Sequence, residues 1–518
     1  MSESVSSRTK TLSASTSSET IEYPLVNDRW TNNINYRQLV MSSCIGIVQV
    51  WWHPYLHDMR KFIPFIFLYN ILSVIFGYPL MYLELALGIV TKKSVINCWD
   101  LSPVARGVGF SMLACCALTA FVSGAVSAWC LALLVHSAHA FLPWLHCAAT
   151  AQPACAARHR PLPEGSETPA QSFFFNFILN LKRDGLKGGL GSVVPELAVY
   201  YVISWLLIYF VAFKRIYSFS KLVLFKDVLA YFVLLVCMLG ATRLSGAAAM
   251  FNECDWSVLL EGTQGVLVML GSYCPKAPHR LATTALLTFL VAKTSCMGSA
   301  LLLGAAHGAL RTDYDNDTNI WSGSSSSIIL WADYVARIPG SQFWSALVFF
   351  TLFVLSVSTT ALLLQTIMST FTGRSIRKIS WAFLVAICVL FCFIGVMTIC
   401  TQGGLYILNF LISWPVSKVR APIAAVVALV ITYTYGQTTF CDEIYFAVGE
   451  YPCMFMRISW ALTPLLLIVV ITGVGSLWTF EASAGWVSLG LCLVTIPVFF
   501  IFYFVFRCRV RNIVDDVK

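Results

Sequence analysis

Two ionisable side chains stand out because apolar sequence surrounds them: Glu84 in Leu83-Glu84-Leu85-Ala86-Leu87-Gly88, and Lys293 in the run 281–306. A charge inside a membrane-spanning segment costs about 2.5–3.5 kcal/mol on insertion scales, so such residues are functional suspects by default. Enzymatic chemistry has no comparable candidates. No phosphate-binding Walker loop, no metal cluster with ligand spacing and no nucleophile–His–acid set is found, so an enzyme is not expected. His53, His57, His136 and His139 lie near the ends of apolar runs, where interfacial placement is the ordinary reading.

The elements that must position these groups are long and apolar. Of the 518 residues, 58% are hydrophobic and 11% charged, against about 25% charged in soluble domains. A spanning helix needs about 20 mostly apolar residues. Twelve such segments can be read: 38–56, 62–88, 107–139, 195–213, 221–240, 257–273, 281–306, 343–369, 380–399, 421–436, 458–478 and 485–506. The fold class is therefore an all-α polytopic membrane protein, with the lipid bilayer as its solvent.

The formal net charge of +9 does not point to nucleic acid, because its distribution follows topology. Lys92, Lys93 and Arg106, then Lys214, Arg215, Lys221 and Lys226, then Arg374, Arg377 and Lys378, then Arg507, Arg509 and Arg511 fall in alternate short loops. The positive-inside rule makes those loops cytoplasmic, and both termini with them. Residues 1–28 are expected to be a disordered cytoplasmic tail, Ser/Thr-rich at its start and without the apolar core of a signal peptide. Residues 29–506 form the membrane domain, 140–194 its large outer loop, and 507–518 a short inner tail. Most of the eighteen cysteines sit in apolar helices and read as small hydrophobes. Cys147 and Cys155 lie in the outer loop, where an oxidising exterior and short spacing predict a disulfide. Asn316-Asp317-Thr318 is a glycosylation sequon in another outer loop.

Ordered motifs then carry a resemblance. Arg29-Trp30, Val50-Trp51-Trp52-His53-Pro54-Tyr55, Pro79-Leu80 with Leu83 to Gly88, Leu142-Pro143-Trp144 with Cys147, Gly403-Gly404-Leu405-Tyr406, and Tyr435-Gly436 with Phe440 to Ile444 follow one another along the chain. In order and spacing they resemble the neurotransmitter:sodium symporters (solute carrier family six), from Arg29 to about Phe506. The resemblance implies two inverted five-helix repeats, helices one to five and six to ten, plus two more helices. The first helix of each repeat is then broken, and substrate and ions bind where the unwound backbone is exposed.

The resemblance also assigns residues. Gly46 falls where amino-acid carriers of the family have Gly and monoamine carriers have Asp. Its lack of a side chain leaves room for a substrate carboxylate, or serves helix packing alone. Val122 and Ser123 stand where the family has a Tyr pair, one of which binds substrate. A second-site sodium would take the carbonyls of Ser42, Ile45 and Leu355 and the hydroxyls of Ser358 and Thr359. The alternative for the hydroxyls is a bond back to their own helix. A first-site sodium is degraded: Cys44 and Gln49 remain near it, and Val291 replaces an Asn. Chloride positions map to Tyr69, Gln264 and Ser295. Glu84 is a structural acid bracing helix six. The outer gate pair is replaced by Trp52 and Ile412, and the inner-gate Arg29 faces Gly373 in place of an Asp. Lys293 is about 200° from Val291 around a helix, which turns it away from the ion side.

The function implied is sodium-coupled symport of an amino acid or related small zwitterion or neurotransmitter across the plasma membrane. Chloride is a second candidate ion. The alternatives are a non-transporting relative acting as a partner subunit or regulator, and an uncoupled carrier. The altered gates, the replaced Tyr pair and a sixth helix, Trp256 to Tyr273, several residues shorter than the family pattern favour the non-transporting relative.

Overall fold

The structure, a computed structural model, describes residues 33–47, 67, 70–139, 141–147, 155–156, 166–213, 216–244, 266–274, 280–314, 325–371, 377–465 and 480–516. The described part is helical, with extended pairing limited to the isolated bridges Cys155–Glu167 and Val193–Thr401. The main helices are α1 (Asn33–Ser43), α2 (Tyr78–Thr91), α3 (Arg106–His136), α4 (Pro195–Phe213), α5 (Ile216–Ala241) and α6 (Val266–Ser272). There follow α7 (Leu281–Tyr314), α8 (Ser341–Phe371), α9 (Arg377–Thr398), α10 (Gly404–Leu411, resumed as Arg420–Leu429), α11 (Met454–Leu462) and α12 (Phe480–Leu493, resumed as Thr495–Asp516).

Among the described residues, seven helices are long and apolar enough to cross a membrane, and a pair bent by 42° in α12 makes an eighth if counted as one span. Ala382–Thr398 adds a shorter apolar helix. These correspond to nine of the segments read from hydropathy. The other three, 38–56, 257–273 and 458–478, run partly outside the described residues. The tenth differs from the expectation of 421–436, because its helix begins at Gly404. A π turn at Ile412–Val416 contains Pro415, and Lys418 follows it. A charge and a kink hide the first half from a hydropathy window.

Helices are what this sequence can form in lipid, where no water satisfies the backbone. The large apolar side chains of the outer helices point outward: Leu206 and Phe210 on α4, Leu235 and Leu239 on α5, Val389 and Phe393 on α9. The centre is the pair α3 and α8. Small residues let neighbours close on it; a Cβ at Gly124 would lie 2.7 Å from the Trp205 ring of α4. Ser356 Oγ of α8 donates to Ser123 O of α3 at 2.7 Å. Other buried hydroxyls bond back along their own helices, as Thr119 does to Cys115 O at 2.8 Å and Thr366 to Leu362 O at 3.0 Å.

In the loop between α3 and α4 Cys147 and Cys155 are bonded, with 5.6 Å between their Cα atoms. Nearby, Arg183 pairs with Glu167 and donates to Asn176 Oδ1 at 2.9 Å. Replacing Cys155 by Ser is expected to cost about 2–3 kcal/mol for so short a closed loop. The check is a lower melting temperature together with new maleimide labelling at Cys147. Labelling of Cys147 in the unreduced wild type would contradict the bond.

Candidate functional site: the break in the first helix

Helix α1 stops at Ser43, well inside the apolar run that begins at residue 38. Cys44 N–H turns back to Met41 O at 3.2 Å and Ile45 N–H to Ser42 O at 3.0 Å, and the chain then leaves the helix through Gly46. Carbonyls at a helix C-terminus carry partial negative charge and attract a cation. A cation is there already. Lys226 of α5 places Nζ 2.9 Å from Ser42 O and 2.6 Å from Ile45 O. Its side chain is 4% exposed. Asp227, next in sequence, lies 3.4 Å from the same ammonium through Oδ1. The same Oδ1 accepts a hydrogen bond from Ser42 Oγ at 2.8 Å.

The other side of the break meets α8. Ile47 N–H donates to Thr359 Oγ1 at 3.2 Å, and that hydroxyl donates to Leu355 O at 2.8 Å. Ser358 Oγ reaches Leu355 O at 3.4 Å. The family resemblance names Ser42, Ile45, Leu355, Ser358 and Thr359 as a sodium cage; the fold brings Leu355 and Thr359 of α8 against the break at Ser42–Ile45, and Ser358 is next to Thr359 in the chain. The cage does not fit a second cation as it stands. Both carbonyls at the break are engaged by the ammonium, and Thr359 Oγ1 already accepts from Ile47 N–H. Two unit positive charges about 4 Å apart repel by about 4 kcal/mol at an effective dielectric constant of about 20.

Elsewhere the predicted residues are scattered. Gly46 is at the break itself, and Cys44 is buried beside it. Ser123 is buried on α3 with its carbonyl held by Ser356, and Val122 is buried next to it. Ser295 Oγ bonds back to Val291 O at 2.9 Å and Ala292 O at 3.1 Å. Val291 O also accepts from Tyr231 of α5 at 3.0 Å. Ser295, Tyr231, Ile45, Thr351 and Leu355 line a narrow cleft, together with Trp331. Lys293 instead donates to Ser73 Oγ, in the π turn before α2, at 2.6 Å. Glu84 is buried in α2, a helix that packs against α6. Ile412 is buried at the start of the π turn in α10. Arg29, Gln49, Trp52, Tyr69, Gln264, Asn316 and Gly373 lie outside the described residues.

Lys226 is the residue that sequence reasoning misplaced. Counted with Lys214, Arg215 and Lys221 as a loop charge, it is inside α5 and buried. The signal was present: residue 226 falls within the apolar run 221–240, and a Lys-Asp pair within a span is a functional suspect. The neighbouring basic residues drew it into the topology count instead.

Comparison with known proteins agrees with this architecture. The sequence matches the family described as "Sodium:neurotransmitter symporter family" over residues 27–263 and 256–501. It is similar to sodium- and chloride-dependent creatine transporter 1 of Bos taurus, 25% identical over 485 residues. It is also similar to that transporter in Mus musculus, 26% identical over 485 residues, and in Homo sapiens, 25% over 488. Each alignment covers 85% of this chain and 75% of the relative. With a family match along nearly the whole chain, and the helices and broken first helix to accompany it, this protein belongs to the sodium:neurotransmitter symporter family.

Proposed function

We propose that this protein is a secondary active transporter that carries an amino acid or related small zwitterion across the plasma membrane, coupled to sodium, by alternating access. Both termini are on the cytoplasmic side in this reading. The observation that carries it is the break at Cys44–Gly46, where a spanning helix gives up its own hydrogen bonds to expose backbone groups. Gly46 contributes no side chain there, which favours a substrate that brings its own carboxylate. The relatives named as creatine transporters fit that class, since creatine bears a carboxylate and a delocalised cation. Sodium coupling is drawn from the family and from the relatives' names, and chloride is carried over in the same way.

The test is uptake by purified protein in vesicles, with amino acids, amines and creatine offered in sodium or in choline. Sodium-driven accumulation above the outside concentration is the expected result. Equilibration with no sodium requirement would favour an uncoupled carrier. Silence across the panel, from protein shown to be folded, would overturn the transport reading and favour the partner-subunit alternative.

A further inference from the structure

We infer that the ε-ammonium of Lys226 is the resident cation of the site between α1 and α8, standing where a second sodium ion would otherwise be held. Five observations converge on it. The ammonium is within 2.9 Å of both Ser42 O and Ile45 O, the carbonyls at the end of α1. It is buried, and an ammonium has three donors to place. Two donors go to Ser42 O and Ile45 O, and the third side faces the Asp227 carboxylate at 3.4 Å. Asp227 in turn takes the Ser42 hydroxyl at 2.8 Å, so α5 grips the break by its carbonyls and its side chain together. Across the break, Thr359 is already used to hold Ile47 N–H at 3.2 Å.

The chemistry of this arrangement differs from that of an ion site. A diffusible ion enters and leaves, and its gradient adds to the driving force. A tethered ammonium orders the same carbonyls but is never released to the other side. The inference rests on the transport reading for its consequence: the break in α1 is ordered by the chain itself, and any sodium that couples transport acts at another position. The carboxylate of Asp227 gives the site a net charge near zero with the lysine present. Without the lysine, the same carboxylate, carbonyls and hydroxyls would form an oxygen cage suited to a hard cation.

The experiment uses the full chain, purified, with thermal unfolding followed in sodium chloride and in choline chloride of equal strength. The proteins compared are wild type, Ser358→Ala with Thr359→Ala, Lys226→Met, and the triple variant. The expected result is that the sodium response of the wild type is unchanged by the two Ala substitutions. Lys226→Met is expected to gain a sodium-specific rise in melting temperature of about 2 °C or more, which the triple variant lacks. The inference is overturned if the wild type's own sodium response vanishes in the Ser358→Ala and Thr359→Ala protein. It is also overturned if folded Lys226→Met gains nothing from sodium. Should Lys226→Met fail to fold, the comparison of wild type with the two-Ala protein still decides. Binding is read here without uptake, so a chain that transports nothing in vesicles fails the transport reading alone.

Discussion

Replacing Arg337 by Met is expected to destabilise the protein by about 3–5 kcal/mol, the usual cost of removing one partner from a buried ion pair. Arg337 follows the short helix Ser326–Val335, which lies between α7 and α8. Its guanidinium is 2.7 Å from Asp313 at the end of α7 and 2.7 Å from Asp333, and the three side chains are 9%, 9% and 2% exposed. The fork of a guanidinium suits two carboxylates at once. Without it, two acids are left facing each other away from water. The short helix also docks on α5: the Tyr334 hydroxyl donates to Cys237 O, and a Cβ at Gly240 would come within 2.7 Å of that hydroxyl oxygen. Loss of Arg337 therefore loosens the helix that carries Lys226. The measurement is melting temperature and folded yield. Adding Asp313→Asn and Asp333→Asn to Arg337→Met should recover most of the loss, because the orphaned charges are gone. If Arg337→Met alone melts like the wild type, the triad does not contribute as its burial implies.

The second large effect is expected at Gly88. Its Cα lies so near α6 that an added Cβ would collide with the Val268 carbonyl and sit 2.9 Å from Gly271 Cα. The reverse contact is as close, with a Cβ at Gly271 falling 2.5 Å from Leu85 O. The obstructing atoms are backbone, so no side chain can rotate out of the way. Overpacking of this kind costs about 1–3 kcal/mol, and Gly88→Ala is expected at the upper end of that range. Gly490→Ala is the control, since nothing lies within 4 Å of its added Cβ. Equal melting temperatures for the two variants would mean that α2 and α6 are not held this closely. The consequence reaches the broken helix, because α6 also packs against α1.

Much of this architecture is legible in the sequence for a plain reason. The bilayer imposes one length and one polarity on every span, so a run such as 343–369 announces α8 without any knowledge of its neighbours. The bond between Cys147 and Cys155 is likewise local, set by eight residues of separation and a shared loop. A break in the first helix is implied by the family resemblance, and the structure places it at Cys44–Gly46. Helix α10 was read too short because a π turn and a lysine interrupt the hydropathy on which such readings rest.

The partner of the break was not legible, because it belongs to no local pattern. Lys226 is 184 residues from Ser42, and beside Lys214, Arg215 and Lys221 it has the look of one more positive-inside residue. Sequence fixes that a charge is present and which residues flank it. Whether that charge ends in headgroups, in water or against two carbonyls at a helix end depends on which helix packs beside it. Hydropathy and motif order thus determined most of the described spans and the family, and through the family that the first helix is broken. Only the packing of α5 on α1 decided that the cation at that break is a lysine, because the desolvation that forces a buried ammonium to find carbonyl and carboxylate partners exists only once the helices have come together.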